Sequence, residues 1–244
     1  MSNNQGGLTF VLVAGSGHGG WAWRRLADLL RSKDHRVYTP TLTGLGERSH
    51  LMSGAISLQT HILDVVNLFR WEDINGAVLV GHSYAGWVIS GAIEQLEDRV
   101  QAMVYLDAFL PDDGQRGFDF LNEQQQAAFC DAQARGEVSR PGPTSAALKI
   151  QNAADAIWVD SKITPQPIGV SLDAVSLTGA RERIAKRLYV RTPLFPQPRF
   201  DAALARCQAD PAWQTAVLDA CGHDPMIDRP DAVCALLDTL VTTA

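Results

Sequence analysis

The sequence Ala77-Val78-Leu79-Val80-Gly81-His82-Ser83-Tyr84-Ala85-Gly86 predicts a buried strand, a sharp turn and the start of a helix. The apolar run before Gly81 indicates the strand, and the apolar residues after Gly86 indicate a helix that reaches about Leu96. The turn fits the pattern G-x-S-x-G, except that Ala85 stands in place of the second glycine. That position needs a small residue because the helix and the strand approach each other closely there, and alanine is small.

A turn of this kind holds Ser83 in a strained backbone conformation and projects its hydroxyl above the edge of the sheet. The start of the helix also favours negative charge that develops on the serine oxygen. The alternative is a turn that merely joins the strand to the helix, and its position between an apolar strand and an apolar helix disfavours that interpretation. We therefore predict that Ser83 is a catalytic nucleophile.

Short apolar runs alternate with helical patterns along the chain, which is typical of βαβ units and a parallel sheet. The predicted strands are Leu8–Ala14, Arg36–Thr39, Ala77–Val80, Val100–Leu106, Leu188–Arg191 and Ala216–Asp219. Further helices are predicted over Trp21–Arg31 and Ser57–Phe69, and a last one begins at Arg229-Pro230. The length of 244 residues suits a single α/β domain. We expect a core formed by residues 1–110 and 186–244, with an inserted cap at about 111–185, where the regular pattern breaks up.

Composition and charge argue against several classes of function. A formal net charge of −6 disfavours a nucleic-acid surface and a polybasic membrane patch. The polar segment Met1–Gly7 and the short apolar run Leu8–Ala14 make neither a signal peptide nor a membrane span. The cysteines lack C-x-x-C spacing, so we expect buried or half-buried free thiols and a cytoplasmic protein. They are Cys130, Cys207, Cys221 and Cys234. The sequence predicts no particular oligomeric state.

The turn Gly15-Ser16-Gly17-His18-Gly19-Gly20 contains the pattern G-x-G-x-x-G that dinucleotide-binding proteins use. In those proteins an Asp or Glu ends the second strand, whereas Pro40-Thr41 stands at that point here. We therefore expect no dinucleotide, and the sequence predicts no other cofactor and no metal.

Several segments resemble one branch of the α/β-hydrolases, the plant methylesterases and hydroxynitrile lyases. The resemblance is carried by Phe10–Val13, Gly15, His18–Trp21, Trp23, Thr41–Arg48 and the turn at Ser83. It spans essentially the whole core and fades in the cap. It implies the α/β-hydrolase fold, a mostly parallel sheet flanked by helices with an inserted helical cap.

His223 is the best candidate for the base that a serine nucleophile needs. It lies in the loop Asp219–Asp224, past the last predicted strand and before the last helix, where the family has its catalytic histidine. The chain order also fits, because these hydrolases carry serine, acid and histidine in that order. His18 and His82 flank turns near the site, which favours a structural or substrate-orienting role. The remaining histidines are expected on the surface or in loops: His35, His50 and His61.

Two backbone N–H groups are expected to bind the oxyanion of a tetrahedral intermediate. One belongs to Tyr84, the residue after the nucleophile. The other is expected in the glycine-rich turn after the first strand, most simply at Ser16. The glycines at Gly15 and Gly17 let that backbone approach a substrate closely.

The acid departs from the family pattern. In the methylesterase branch it follows the penultimate strand, but here no carboxylate follows Leu188–Arg191 until Asp201. Some other α/β-hydrolases take the acid from the end of the strand that follows the helix after the nucleophile. In this chain that position is Asp107. A carboxylate at a buried strand end needs a partner, and a catalytic imidazole supplies one. We predict Asp107, with Asp201, Asp219 and Asp224 as alternatives.

The favoured function is hydrolysis of a small or medium hydrophobic carboxylic ester, or a related carbamate or lactone. Hydroxynitrile lyases of this branch carry a lysine beside the catalytic histidine and a threonine in the oxyanion turn. This chain has Asp224 and Gly15 there, which disfavours cyanohydrin cleavage. Aromatic side chains of the cap and its border are candidates to bind the substrate: Phe109, Phe118, Phe120, Phe129 and Trp158.

Two other classes of function stay open. A cofactor-free lyase or oxygenase would use His223 and Asp107 as a base without acyl transfer. A receptor built on a hydrolase scaffold would bind a hydrophobic small molecule with negligible turnover. In each case the expected partner is a small molecule, with no nucleic acid and no membrane.

Overall fold

The computed structural model describes residues 7–242. Most of the segment Met1–Gly7, in which no leader is predicted, lies outside the described residues. A central sheet of six parallel strands has the order β2-β1-β3-β4-β7-β8. The strands are β1 Thr9–Val13, β2 Arg36–Tyr38, β3 Ala77–His82, β4 Val100–Leu106, β5 Ser139–Arg140, β6 Gln166–Pro167, β7 Lys186–Arg191 and β8 Gln214–Val217.

Helices connect the strands and cover both faces of the sheet. They are α1 Arg24–Arg31, α2 Leu58–Trp71, α3 Ala85–Ile93, α4 Glu123–Ala134, α5 Ser145–Leu148, α6 Ala153–Asp160, α7 Ala180–Arg183, α8 Pro198–Gln208, α9 Pro225–Asp228 and α10 Pro230–Thr242. Short 3₁₀ helices cover Gly20–Trp23, Gly46–Leu51, Glu97–Arg99, Gly117–Phe120 and Gly169–Ser171. None of the helices within residues 7–242 is long and apolar enough to cross a membrane.

Alternation along the strands divides the core into two layers. Phe10 and Leu12 face one side, where α1 and α10 contribute side chains such as Leu26 and Leu237. The intervening residues of the same strand, including Val11, face the other side, where α2, α3 and α8 pack. Because both faces are covered, the central strands β1, β3 and β4 are nearly continuous apolar runs, as expected for a parallel sheet.

The strands predicted for the core are present, with shifted ends. The segment Trp21–Arg31 is not one helix, because a 3₁₀ turn precedes α1. The last strand lies at Gln214–Val217, two residues before the predicted position. It is an edge strand and its residues are half-buried or exposed, so polar residues are tolerated and the apolar pattern is a poor guide there.

The segment between β4 and β7 contains α4 to α7 and the antiparallel pair formed by β5 and β6. The sequence pattern did not predict this pair. Its strands are two residues long and one ends in Pro167, so they carry no alternating signal. The expectation of buried thiols was wrong for Cys130, which is exposed on α4, while the other three cysteines are buried.

Register places the ends of the central strands side by side. His82 pairs with Leu106, and Leu106 pairs with Val190, so the residues that follow them emerge at one edge of the sheet. Ser83 and Asp107 directly follow these strands. This carboxyl edge is where open α/β sheets bind ligands.

Gly86 allows the start of α3 to lie close to the backbone that follows β4. A Cβ atom at this position would lie 1.9 Å from the carbonyl oxygen of Phe109. That oxygen is backbone in a buried segment, so it cannot move aside as a flexible side chain does. A glycine is required by this close approach rather than by an unusual backbone angle.

We expect Gly86→Ala to lower the free energy of unfolding by about 2–4 kcal/mol, because the added methyl forces helix and loop apart. The matched control is Gly91→Ala in the same helix, whose Cβ would meet the movable Cδ1 tip of Ile62. Urea unfolding of both variants checks this. Equal loss of stability in the two variants would contradict the backbone clash at Gly86.

Candidate active site

Ser83 occupies the sharp turn between β3 and α3. Its φ of 54° lies in the left-handed region, which few residues other than glycine adopt. Backbone hydrogen bonds hold this conformation, because the carbonyl oxygen of Ser83 accepts from the N–H groups of Gly86 and Phe109, at 3.1 Å each. The Ser83 N–H donates to the Leu106 carbonyl of the neighbouring strand at 3.3 Å. The turn thus places the serine hydroxyl at the carboxyl edge of the sheet.

His223 lies beside this hydroxyl. Its Nε2 is 2.7 Å from Ser83 Oγ, and its Nδ1 is 2.6 Å from Asp107 Oδ2. A carboxylate only accepts hydrogen bonds, so Nδ1 carries the hydrogen in the neutral ring and Nε2 is left to accept from the serine hydroxyl. The N–H of His223 donates to the Leu148 carbonyl at 2.8 Å, and the Phe195 ring stacks on the imidazole with centroids 4.0 Å apart.

Asp107 is fully buried and both of its carboxylate oxygens are bonded. While Oδ2 faces His223, Oδ1 accepts from the Thr192 N–H at 3.0 Å and from Arg191 Nη1 at 2.8 Å. Burial alone would raise the pKa of Asp107, but the hydrogen bond and charge of His223, together with Thr192 and Arg191, lower it below its usual value. The carboxylate is therefore ionised and fixed in place.

The alternative acids lie elsewhere. Asp201 accepts from Arg191 Nε at 2.8 Å, and its side chain is 62% exposed. Asp219 is exposed. Asp224 is buried and bonds to His18 rather than to the imidazole of His223. Of the four carboxylates that the sequence left open, the structure places only Asp107 against the catalytic candidate His223.

The glycine-rich turn after β1 approaches the serine from the opposite side. A Cβ atom on Gly15 would lie 2.7 Å from Ser83 Cβ, so this close approach requires glycine. The carbonyl of Gly15 accepts from the His18 N–H at 3.2 Å. Because N–H and C=O of one trans peptide point in opposite directions, the Ser16 N–H points away from that bond. Among the described residues, neither the Ser16 N–H nor the Tyr84 N–H has an acceptor.

His18 and Asp224 form a buried pair behind this turn. His18 Nε2 lies 2.9 Å from Asp224 Oδ2, and Nδ1 lies 2.8 Å from the Ser16 carbonyl. Both partners are acceptors, so the geometry fits a doubly protonated ring. Burial alone would lower the pKa of His18, but the charge of Asp224, its hydrogen bond and the Ser16 carbonyl raise it. In turn, burial would raise the pKa of Asp224, but the charge and hydrogen bond of His18 lower it to about 2.

Two further histidines are fully buried. His82 Nε2 donates to the His223 carbonyl at 2.8 Å, and burial, with the neighbouring His223, lowers the pKa of His82 to about 3. The expectation that His61 lies on the surface or in a loop was wrong. His61 lies on α2, where its ring nitrogens lie 3.0 Å from the Tyr84 hydroxyl and 2.8 Å from the Thr43 carbonyl.

A cavity of about 320 Å³ opens onto Ser83 and His223. Its wall also includes Ser16, His18, Phe195, Leu148, Ala147, Gln125 and the segment from Arg140 to Pro143. Sequence reasoning missed Phe195, which stacks on His223, and Arg191, which holds Asp107. The only available signal was their place, with Arg191 at the end of β7 and Phe195 in the loop after it, at the edge where Ser83 and Asp107 also emerge.

The predicted aromatic residues do not meet at this cavity. Phe109 packs in the core against Trp87, Phe120 and Phe200. Trp158 packs edge-on against Trp21. Phe118 and Phe129 pack together in a separate small cluster. They pack there because the cap needs a core of its own, which the sequence cannot distinguish from an apolar lining. Within residues 7–242 no group of three or more acidic, His or Cys side chains could hold a metal.

Comparisons with known proteins agree with this fold. The family described as "Alpha/beta hydrolase family" matches residues 10–236. The chain is 34% identical over 239 residues to the carbendazim hydrolyzing esterase of Nocardioides sp. (strain SG-4G), covering 95% of this chain and 98% of that protein. It is 26% identical over 250 residues to norfluorocurarine synthase 2 of Strychnos nux-vomica, covering 93% of each.

A solved structure shares the architecture. An extracellular alpha/beta-hydrolase from a Paenibacillus species superposes with a TM-score of 0.78, at 23% identity, over 96% of this chain and 98% of that one. At this identity the likeness shows the fold alone. The resemblance seen in the sequence is confirmed: the chain belongs to the alpha/beta hydrolase family.

Proposed function

We propose that this protein is a serine hydrolase that cleaves a small or medium hydrophobic carboxylic ester, or a related carbamate or lactone, through an acyl-enzyme on Ser83. The observation that carries the proposal is the continuous hydrogen-bonded series from Ser83 Oγ through His223 to Asp107, with atom separations of 2.7 and 2.6 Å. The esterase names of relatives, among them one that hydrolyses carbendazim, support ester-type chemistry.

In the proposed mechanism, His223 Nε2 takes the proton of Ser83 as its oxygen attacks the carbonyl carbon of the substrate. Asp107 holds the ring in the required tautomer and stabilises the imidazolium that forms. His223 then gives the proton to the leaving group, which leaves an acyl group on Ser83. A water molecule, activated by the same nitrogen, hydrolyses the acyl-enzyme and restores the serine.

The oxyanion is bound by the N–H groups of Tyr84 and Ser16. Both amides lack an acceptor among the described residues, and Ser16 lines the cavity with Ser83. The turn is fixed at each peptide, because Gly17 N–H donates to Gln166 Oε1 and the Gly17 carbonyl accepts from the Thr164 N–H, both at 2.9 Å. Preorganised donors of this kind typically contribute ~10²–10³ in rate.

The substrate-binding wall differs from the one predicted. Gly15, Ser16 and His18 lie at the site, whereas Phe109 and Trp158 pack elsewhere, so we assign substrate contact to Phe195 and Leu148 instead. The partner remains a small molecule, and a cytoplasmic location remains a prediction.

The first prediction concerns Ser83→Ala. We expect kcat/KM on a short-chain p-nitrophenyl ester to fall by about 10⁴-fold or more, since acyl transfer loses its nucleophile. Ser53→Ala, at an exposed serine, is the control for the same change. Turnover that survives in Ser83→Ala would instead favour a lyase or oxygenase in which His223 and Asp107 act as a base. Negligible wild-type turnover with ligand binding would favour a receptor.

A second prediction separates the acids. Asp107→Asn is expected to lower kcat by about 10³–10⁴-fold, because the amide can no longer fix the tautomer of His223 or stabilise its charge. Asp201→Asn removes only an exposed partner of Arg191 and is expected to cost less than about tenfold. Steady-state kinetics of the two variants decides between them. If Asp201→Asn is the more damaging change, Asp107 is not the acid.

A third prediction concerns the turn behind Ser16. In Asp224→Asn the charge that raises the pKa of His18 is lost, so His18 deprotonates at lower pH. With a neutral ring, the hydrogen bonds of His18 to the Ser16 carbonyl and to residue 224 lose their charge assistance, so the turn is held less firmly. We expect kcat to fall about tenfold at neutral pH and its alkaline decline to move to lower pH. Asp219→Asn, in the same loop but exposed, is the control. Identical pH profiles for wild type and Asp224→Asn would refute this role.

A further inference from the structure

A second cavity adjoins the one at Ser83. It measures about 310 Å³ and is mostly apolar, with Leu121, Phe129 and Ile168 in its wall. Three residues line both cavities: Gln125, Arg140 and Pro141. A substrate whose ester lies at Ser83 therefore has space to extend past Arg140 into the second cavity.

Arg140 has no partner for its guanidinium among the described residues. It is half-buried, and no hydrogen bond or ion pair of its side chain is found within residues 7–242. The nearby acid Glu137 pairs instead with Arg135, at 2.8 Å. None of these unpartnered guanidinium nitrogens is fully buried, so they border open space rather than packed side chains.

An arginine in this setting is costly unless an anion joins it. Burial lowers the pKa of the Arg140 guanidinium, with only the Tyr84 hydroxyl acting in the other direction. Arginine nevertheless stays protonated at neutral pH, so the positive charge persists in a half-buried place. A partly buried cation without a counter-charge is stabilised by binding an anion, and a guanidinium suits a carboxylate because it can donate two parallel hydrogen bonds.

Gln125 supplies a second donor on the same wall. Its Oε1 accepts from the Asn122 N–H at 3.0 Å at the start of α4. A backbone N–H can only donate, so this bond fixes the orientation of the amide and leaves Nε2 as the free donor. No acceptor for that nitrogen is found among the described residues.

We propose that Arg140, assisted by Gln125, binds a carboxylate on the substrate, so that the natural substrate is an ester or related acyl compound with an anionic group away from the scissile bond. The inference rests on the proposed function at Ser83 for its substrate, but the binding site itself does not depend on catalysis. It deepens the proposed function by adding charge to a substrate otherwise expected to be hydrophobic.

The test compares p-nitrophenyl half-esters of adipic, pimelic and suberic acid with esters of the same length that end in a neutral amide. The leaving group is shared, so intrinsic reactivity is matched. We expect wild-type kcat/KM to favour the carboxylate member of at least one pair by about tenfold or more, as for a hydrogen bond to a charged group. Arg140→Met should abolish the preference, mainly through KM, and Arg140→Lys should keep part of it. Arg70→Met, at an exposed arginine, is the matched control.

Equal kcat/KM within every pair for the wild-type enzyme overturns the proposal, and so does an equal loss on both members in Arg140→Met. The side chain makes no hydrogen bond or ion pair with the part of the chain that the structure describes, so this variant is expected to fold, and its thermal melt checks that it does. If no ester is turned over, the proposed hydrolysis fails while the anion site is still tested. Calorimetry then measures adipate against adipamide on Ser83→Ala, and adipate binding that is lost in Ser83→Ala/Arg140→Met supports the site. Equal binding of the two compounds refutes it.

Discussion

The buried carboxylate of Asp107 is the constraint on which the rest of the site depends. Asp107 directly follows β4 with a φ of 43°, in the left-handed region, and a fully buried charge must be compensated. Compensation comes from two directions, with Arg191 and the Thr192 amide on one oxygen and His223 on the other. The Asp107 N–H also continues the sheet by donating to the Val190 carbonyl at 2.7 Å. Asp107 is thus joined to the sheet by its backbone, and its side chain contacts the loop that carries His223.

Arg191 connects the two carboxylates Asp107 and Asp201. This arginine ends β7, the strand next to β4, and its buried guanidinium reaches both carboxylates. Only Asp107 is also in contact with His223, while Asp201 lies at the protein surface and shares the charge of Arg191. The carboxylate thus follows β4, and the neighbouring strand β7 ends in the cation that binds it.

The sequence predicts the fold, and also that Ser83, His223 and Asp107 lie together, because both depend on local rules. A strand, a sharp turn and a helix determine where Ser83 lies, and the ends of parallel strands bring Asp107 to the same edge. Contacts between distant segments have no such rule. His61 lies on an amphipathic helix pattern but is buried by its bonds to Tyr84 and Thr43. Likewise, nothing local to Phe109 or Trp158 shows that each packs against aromatic neighbours rather than facing a cavity.

Hydrogen bonds connect the segment between β4 and β7 to the glycine-rich turn after β1. Gln166 pairs with Arg140 in the small sheet, and its side-chain oxygen accepts from the Gly17 N–H. The Thr164 N–H donates to the Gly17 carbonyl. The loop of His223 is tied to Leu148 in the same segment. The segment between β4 and β7 therefore contacts both the turn at Ser16 and the loop of His223, the two places where we propose the oxyanion donor and the base. The same β5–β6 pair contains Arg140, which lies in the cavity wall. The segment that contacts the turn at Ser16 and the loop of His223 therefore also provides the charge that we propose binds the substrate. Among the described residues that line this cavity, His18 is paired with Asp224, whereas Arg140 has no ionic partner, so Arg140 carries the uncompensated charge of that wall.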